Sequence, residues 1–216
     1  MSSHLPLFTV LLGGDYAGKS SAMSRLTGDP EPVRVVSVDD RFLAARHTLI
    51  GRLRRDVVKT VAAPGGAYSP DFMASMLQTA VVHLRDQLLS AAEAADGRPL
   101  VVDSYYYKIL AKCRLAGVRD NPMYDWWRSF PQPARVVYLQ VSPREAWLRS
   151  RRGTRLNALE YYGDRPDRAS FERYQSDLDK LLRDEISDLP VTVVEQHDCV
   201  ERTAEAVREA VRHDYV

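Results

Sequence analysis

Two cysteines, Cys113 and Cys199, are all that the 216 residues contain. They stand far apart and in no ligand spacing, which argues against a disulfide framework or a zinc motif and fits reduced thiols in a cytoplasmic protein. The five histidines, His4, His47, His83, His197 and His213, form no metal pattern either. An excess of charge is also missing. Thirty Lys+Arg face 29 Asp+Glu, a net charge of +1, so nothing global points to nucleic acid or an anionic membrane as partner. No apolar run is long enough to span a bilayer. The N-terminus has no basic segment ahead of its apolar run, so no signal peptide is expected. No repeat, low-complexity tract or linker interrupts the chain. An ordinary composition, 45% hydrophobic and 27% charged, suits one globular domain over residues 1–216 with a sizeable core.

What the chain does have is alternation. Short runs rich in valine and leucine fall at Leu7–Leu12, Val33–Val38, Pro99–Asp103, Arg135–Val141 and Pro190–Glu195. They are too short for helices and show no strict polar alternation, as expected of strands buried on both faces of a parallel sheet. Helical patterns lie between them at Gly18–Thr27, Phe42–Ala62, Ser69–Ala95, Ser142–Arg152, Arg168–Asp188 and Cys199–His213. In the long third one, Phe72, Met73, Met76, Leu77, Ala80, Val81, Leu84 and Leu88 share one face. The expectation is an α/β fold: a five-stranded parallel sheet with helices on both faces.

The first strand runs into Gly13-Gly14-Asp15-Tyr16-Ala17-Gly18-Lys19-Ser20, which fits G-x-x-x-x-G-K-[ST]. Glycines let such a loop turn tightly and aim successive N–H groups at anionic oxygens, and the following helix adds its positive end. The pattern makes Gly13, Asp15, Gly18, Lys19, Ser20 and Ser21 candidate ATP-binding residues. Lys19 would reach the β and γ phosphates, and Ser20 would ligate Mg2+. Asp103, directly after an apolar strand in "PLVVDS", is the candidate second metal residue.

A guanine-reading Asn-Lys-x-Asp segment is absent: Gln196-His197-Asp198 lacks the lysine. That argues against a GTPase. A kinase is favoured by the segment after the fourth strand. Arg144, Arg149, Arg151, Arg152 and Arg155 crowd the end of one helix and the loop beyond. An arginine-rich lid over approximately 150–167 would exclude water and bring guanidinium groups to the transferring phosphoryl.

Together these pieces resemble the thymidylate kinase family. The resemblance rests on the phosphate loop, "SPDFMASMLQTAVVHL", "VVDSY", "VVYLQVSPREAWLRSRRG" and "FERYQSDL", and it covers most of the chain. It implies a three-layer P-loop NTPase fold, with ATP and Mg2+ as cofactors and a nucleoside monophosphate as acceptor. It also implies a homodimer, which the family commonly forms. The family carries its catalytic arginine either in the phosphate loop or in the lid. Tyr16 leaves this loop without a basic residue before Lys19, so the resemblance points to the lid, with Arg151, Arg152 and Arg155 as candidates. Two family arginines are missing, at Ser104 and Ala80; Arg41, Arg46 and Lys108 are candidates to compensate.

Those absences open a second reading of the acceptor. Asp39 and Asp40 in "VVSVDDRF" follow the second strand, where ligands meet an open α/β sheet. A carboxylate there suits proton transfer from a neutral hydroxyl. Asp39 would then be the base of a kinase acting on a nucleoside, sugar or other hydroxylated metabolite. Asp40 caps the next helix or contacts the acceptor. Asp15 could hold an acceptor sugar hydroxyl, as the resemblance implies. Tyr105, Tyr106, Tyr107, Tyr124, Trp126 and Trp127 either floor the acceptor pocket or pack in the core, and Phe72 or Tyr68 could stack on a base. A third reading, a non-catalytic nucleotide-binding switch module, has thinner support.

Overall fold

The computed structural model describes residues 7–29, 32–94, 97–195 and 199–212. Strands β1 (Thr9–Leu12), β2 (Arg34–Val36), β3 (Leu100–Asp103), β4 (Arg135–Gln140) and β5 (Val191–Glu195) form one sheet in the order β2-β3-β1-β4-β5. All neighbouring pairs are parallel. Parallel neighbours require crossovers, and helices supply them on both faces.

The continuous apolar runs now have a cause. Side chains alternate across a strand, and here both sides are core. Val10 and Leu12 of β1 pack with Val102, Val136 and Tyr138 on one face. Leu11 packs with Val101, Val137 and Leu139 on the other. The first face is covered by α3 (Pro70–Glu93), α4 (Tyr107–Leu115), α5 (Pro122–Arg128) and α7 (Arg168–Glu185). The second is covered by α1 (Lys19–Thr27) and α8 (Val200–Arg212).

Side-chain caps fix several helix starts. Ser69 accepts from Phe72 N with Pro70 at the first position of α3, and Asp167 accepts from Ser170 N at α7. The short α6 (Pro143–Arg149) opens with a capping box between Ser142 and Glu145. Each such cap satisfies an otherwise orphaned helical N–H.

Two sequence expectations need correction, and one open alternative is decided. The helix expected over Phe42–Ala62 is broken into a 3₁₀ turn (Ala45–His47), α2 (Thr48–Asp56) and a π-helical turn (Val57–Val61). Only Val57 and Gly51 of α2 and the π turn are buried, so little packing holds this stretch to one regular helix. The helix expected to reach Arg152 stops at Arg149. Arg151, Arg152 and Gly153 all take left-handed backbone, at φ +54°, +52° and +89°, which cannot continue a right-handed helix. The aromatic stretch after β3 forms two further helices, α4 and α5, and most of it is core. Tyr105, Tyr106, Tyr107, Tyr124 and Trp127 are buried, while Trp126 is exposed. The expected helix end at Ala95 and the segment Gln196-His197-Asp198 lie outside the described residues.

The sheet order brings three strand ends together. β1 lies between β3 and β4, with β2 beyond β3. The loops after β1, β2 and β3 therefore open onto the same carboxyl edge, where open α/β sheets bind ligands.

Candidate active site

The loop from Gly13 to Gly18 joins β1 to α1. Gly13 sits at φ +147° with the Leu139 carbonyl so close that a Cβ would lie 2.6 Å from it. No other residue fits there. The loop is also held from below. Asp15 is buried, and its carboxylate meets Lys108 at 2.8 Å, Lys112 at 3.0 Å and Gln175 Nε2 at 2.9 Å. Gln175 closes the pair by accepting from Asp15 N at 2.9 Å. Burial alone would raise the Asp15 carboxyl. The charges of Lys108 and Lys112 outweigh it, and together with hydrogen bonds from Lys108 and Gln175 they hold the group well below its usual 3.8.

Lys19 is buried and donates to the Gly13 carbonyl at 2.9 Å and to the Gly14 carbonyl at 3.0 Å. Burial, reinforced by the nearby Lys108 charge, lowers its ammonium to about 7. Ser20, next on α1, donates to Asp39 Oδ2 at 2.9 Å. Asp103, the last residue of β3, accepts from Ser37 Oγ at 2.8 Å and from Ser104 Oγ at 2.9 Å. The side-chain oxygens that the loop, the β2 edge and the β3 edge bring together here are hydroxyls and carboxylates. Hard oxygen donors of this kind suit Mg2+, which takes one or two carboxylates and fills its other positions with water and phosphate. Among the described residues no group of three or more His, Cys, Asp or Glu converges into a dedicated cage. The donor set therefore fits an ion shared with a phosphate chain.

These groups open into a cavity of about 800 Å³. Of the residues the sequence singled out, Asp15, Gly18, Lys19, Ser20 and Ser21 line it from the loop, and Asp39, Arg41, Asp103, Tyr105 and Arg155 from elsewhere. Gly13 lies behind it, against Leu139. Asp40, Phe72, Arg151 and Arg152 are not part of the lining. Asp40 pairs with Arg55 at 2.5 Å. Phe72 is exposed and stacks on Tyr68 with ring centroids 4.8 Å apart. Arg151 and Arg152 are exposed on the left-handed turn. Ser104 and Ala80, where the family arginines are missing, do line the cavity. Arg46 does not, and donates to His47 Nε2 at 3.2 Å.

The sequence reading missed several contributors. Arg54 and Lys59, from α2 and the π turn, line the cavity. So do Arg149, singled out only as one of a cluster, and Glu160. Gln175 left a faint signal: an amide on the apolar stripe of α7 between Phe171, Tyr174 and Leu178, all buried. Glu160 left none, because its role depends on a contact across the fold. It is buried and accepts from Asn157 N at 3.2 Å, Asn157 Nδ2 at 2.5 Å and Tyr16 OH at 3.1 Å. Tyr16 OH also reaches the Arg155 carbonyl at 2.8 Å. Burial, then the Glu160 charge, raises the Tyr16 hydroxyl, so it stays a donor. Tyr16, which sits at φ +59°, thereby ties the arginine-rich segment to the phosphate loop.

This α/β architecture recurs among solved structures of kinases. No family model and no curated protein matches the sequence. Among solved structures, a thymidylate kinase from Candida albicans aligns over 98% of this chain and 94% of its own, at 15% identity and a TM-score of 0.63. A deoxyadenosine kinase from M. mycoides with bound dATP aligns over 95% of this chain and 99% of its own, at 14% identity and a TM-score of 0.58. The chain shares their fold.

Two outcomes follow. Asp15→Asn leaves two buried ammonium groups short of a counter-charge and should cost roughly 3–5 kcal/mol near neutral pH. Because the Asp15 carboxyl lies below its usual 3.8 in the fold, its stabilisation is complete above that pH and is lost as pH falls through the depressed value. The gap between wild type and Asp15→Asn, read by urea unfolding, should narrow below about pH 4. Tyr16→Phe keeps the ring but loses the tie, worth about 1 kcal/mol or roughly fivefold in local opening. Trypsin should then cut after Arg151, Arg152 or Arg155 several-fold faster at an unchanged melting temperature. An unchanged cleavage rate would mean that the tie does not restrain the segment.

Proposed function

We propose that this chain is a phosphotransferase that moves the γ-phosphate of ATP, with Mg2+, to a nucleoside-type acceptor, a nucleoside monophosphate first and thymidylate first among those. The observation that carries this reading is a single cavity lined by two groups of residues. The phosphate loop contributes Lys19 and Ser20. The same wall carries Arg41, Arg54 and Lys59, whose side chains have no ion-pair partner among the described residues. Cations held without a carboxylate beside a phosphate loop suit an acceptor that is itself anionic. They supply the charge that the positions of Ser104 and Ala80 lack.

In this reading the loop amides and Lys19 hold the triphosphate, and Ser20 and Asp103 hold the ion. A Mg2+ ion held there would supply charge neutralisation to the phosphate chain. Arg155 and Arg149 stand on the cavity wall, which favours Arg155 over Arg151 and Arg152 as the lid cation. Tyr105 borders the acceptor space. The two structural neighbours are named for a nucleotide and a nucleoside acceptor respectively, which supports this acceptor class without choosing within it.

A second reading keeps the donor end and changes the acceptor. Asp39 lies on the cavity, hydrogen-bonded to Ser20, where a carboxylate can take the proton of an attacking hydroxyl. One of its oxygens also accepts from Arg41 N at 3.1 Å, which suits a loop-capping role as well.

An ATP-consumption screen with Mg2+, with products identified by mass, separates the readings. Thymidylate and other monophosphates would be compared with nucleosides and hydroxylated metabolites. Diphosphate formation with Asp39→Asn still active is the expected result. Silence on all monophosphates, turnover of a hydroxyl acceptor and a loss of about 10²–10⁴-fold in Asp39→Asn would establish the second reading. ATP binding with no transfer to any acceptor would leave a nucleotide-binding switch.

A further inference from the structure

Lys19 and Lys108 reach the same backbone oxygen. The Gly14 carbonyl accepts from Lys19 Nζ at 3.0 Å and from Lys108 Nζ at 3.1 Å. Two ammonium groups on one carbonyl repel each other, and they do so in a largely buried place where water screens them poorly. Asp15 Oδ1 serves Lys108 and, one helical turn further along α4, Lys112 as well. Asp103 also acts on Lys19 and Lys108, and Glu160 on Lys108 and Lys112. Carboxylates therefore surround the three lysines, and the crowding lies at the carbonyl that Lys19 and Lys108 share.

The two α4 lysines differ in reach. Both pair with Asp15, and their side chains are similarly buried, 15% and 13% exposed. Only Lys108 bonds the loop carbonyl that Lys19 also uses. It is the first cation after β3 in the sequence, four residues beyond the uncharged Ser104. It lines the cavity with Lys19, Asp103 and Ser104. An anion in that cavity offers either ammonium group a stronger partner than the carbonyl they share.

We propose that Lys108 is a catalytic residue that contacts the transferring phosphoryl group. The inference rests on the phosphotransferase reading. Lys108 exchanges its bond to the Gly14 carbonyl for a phosphoryl oxygen and keeps its pairing with Asp15. It forms no covalent bond and passes no proton. Its ammonium offsets charge on the transferring group, the task a guanidinium performs in related chemistry.

Matched substitutions test this. Lys108→Gln and Lys112→Gln each remove one charge from the same carboxylate on the same helix and keep a hydrogen-bond donor. Lys108→Gln should lower kcat on the order of 100-fold. Lys112→Gln should lose a similar amount of thermal stability, since it shares the loop-pinning bond to Asp15, but should lower kcat at least ~10-fold less than Lys108→Gln does, since it does not reach the Gly14 carbonyl. Lys108→Arg should recover part of the rate. Equal losses in the two Gln variants, or no loss in Lys108→Gln, would overturn the proposal.

A measurement on the unaltered chain guards against a variant that does not fold. Acetylation of the native chain, read lysine by lysine by mass spectrometry, should slow at both Lys19 and Lys108 when ATP and Mg2+ are added. Acetylation of Lys108 that ATP leaves unchanged would also overturn it. A wild-type chain that transfers phosphate to no acceptor defeats the phosphotransferase reading itself and this inference with it. That failure shows in the wild type, before any variant is compared.

Discussion

The buried Asp15 carboxylate is the constraint on which the rest of the site depends. It is a costly group to place out of water, and its stability there requires Lys108, Lys112 and Gln175 around it. Those partners come from α4 and α7, two helices on the same face of the sheet. The carboxylate therefore pins the loop after β1 to elements more than 90 residues away in sequence. With the loop pinned, Lys19 and Ser20 start α1 at a fixed height above the sheet edge. Ser20 meets Asp39, and Asp103 meets Ser37 and Ser104. Tyr16 then carries the same order outward, through Glu160 and the Arg155 carbonyl, to the arginine-rich segment.

The sheet and the phosphate loop were legible because their signals are local. Buried parallel strands write continuous apolar runs, and a phosphate loop needs its glycines and lysine at fixed spacing. The left-handed turn at Arg151, Arg152 and Gly153 was not legible. Arginine has no preference for that backbone, and the turn is set by tertiary contacts such as Gly153 against the Trp147 ring, where a Cβ would stand 2.7 Å away. The aromatic stretch after β3 was ambiguous for another reason. Large rings serve equally in a core or beside a ligand, and only the fold assigns Tyr106, Tyr107, Tyr124 and Trp127 to the core and leaves Tyr105 on the cavity.

The basic wall of the cavity departs most from the sequence expectation. Counting arginines along family motifs suggested a deficit at Ser104 and Ala80. The cavity is lined by other cations, Arg54 and Lys59 from α2 and the π turn, together with Arg41. Arg54, Arg55, Val58 and Lys59 all border the cavity here. Arg54 with Val58, and Arg55 with Lys59, are spaced four apart, as a regular helix also groups them. What the chain alone did not show is that this face turns to the phosphate loop, because that depends on how the stretch packs across the fold.

The central claim is that the loop is built to hold a triphosphate through Lys19. Calorimetry with ATP and Mg2+, on the wild-type chain and on Lys19→Met, tests it most directly. Micromolar-range binding by the wild type, weakened on the order of 100-fold or more in Lys19→Met, is the result expected of a buried ammonium on a phosphate chain. Equal binding by both chains, or none by the wild type, would contradict it.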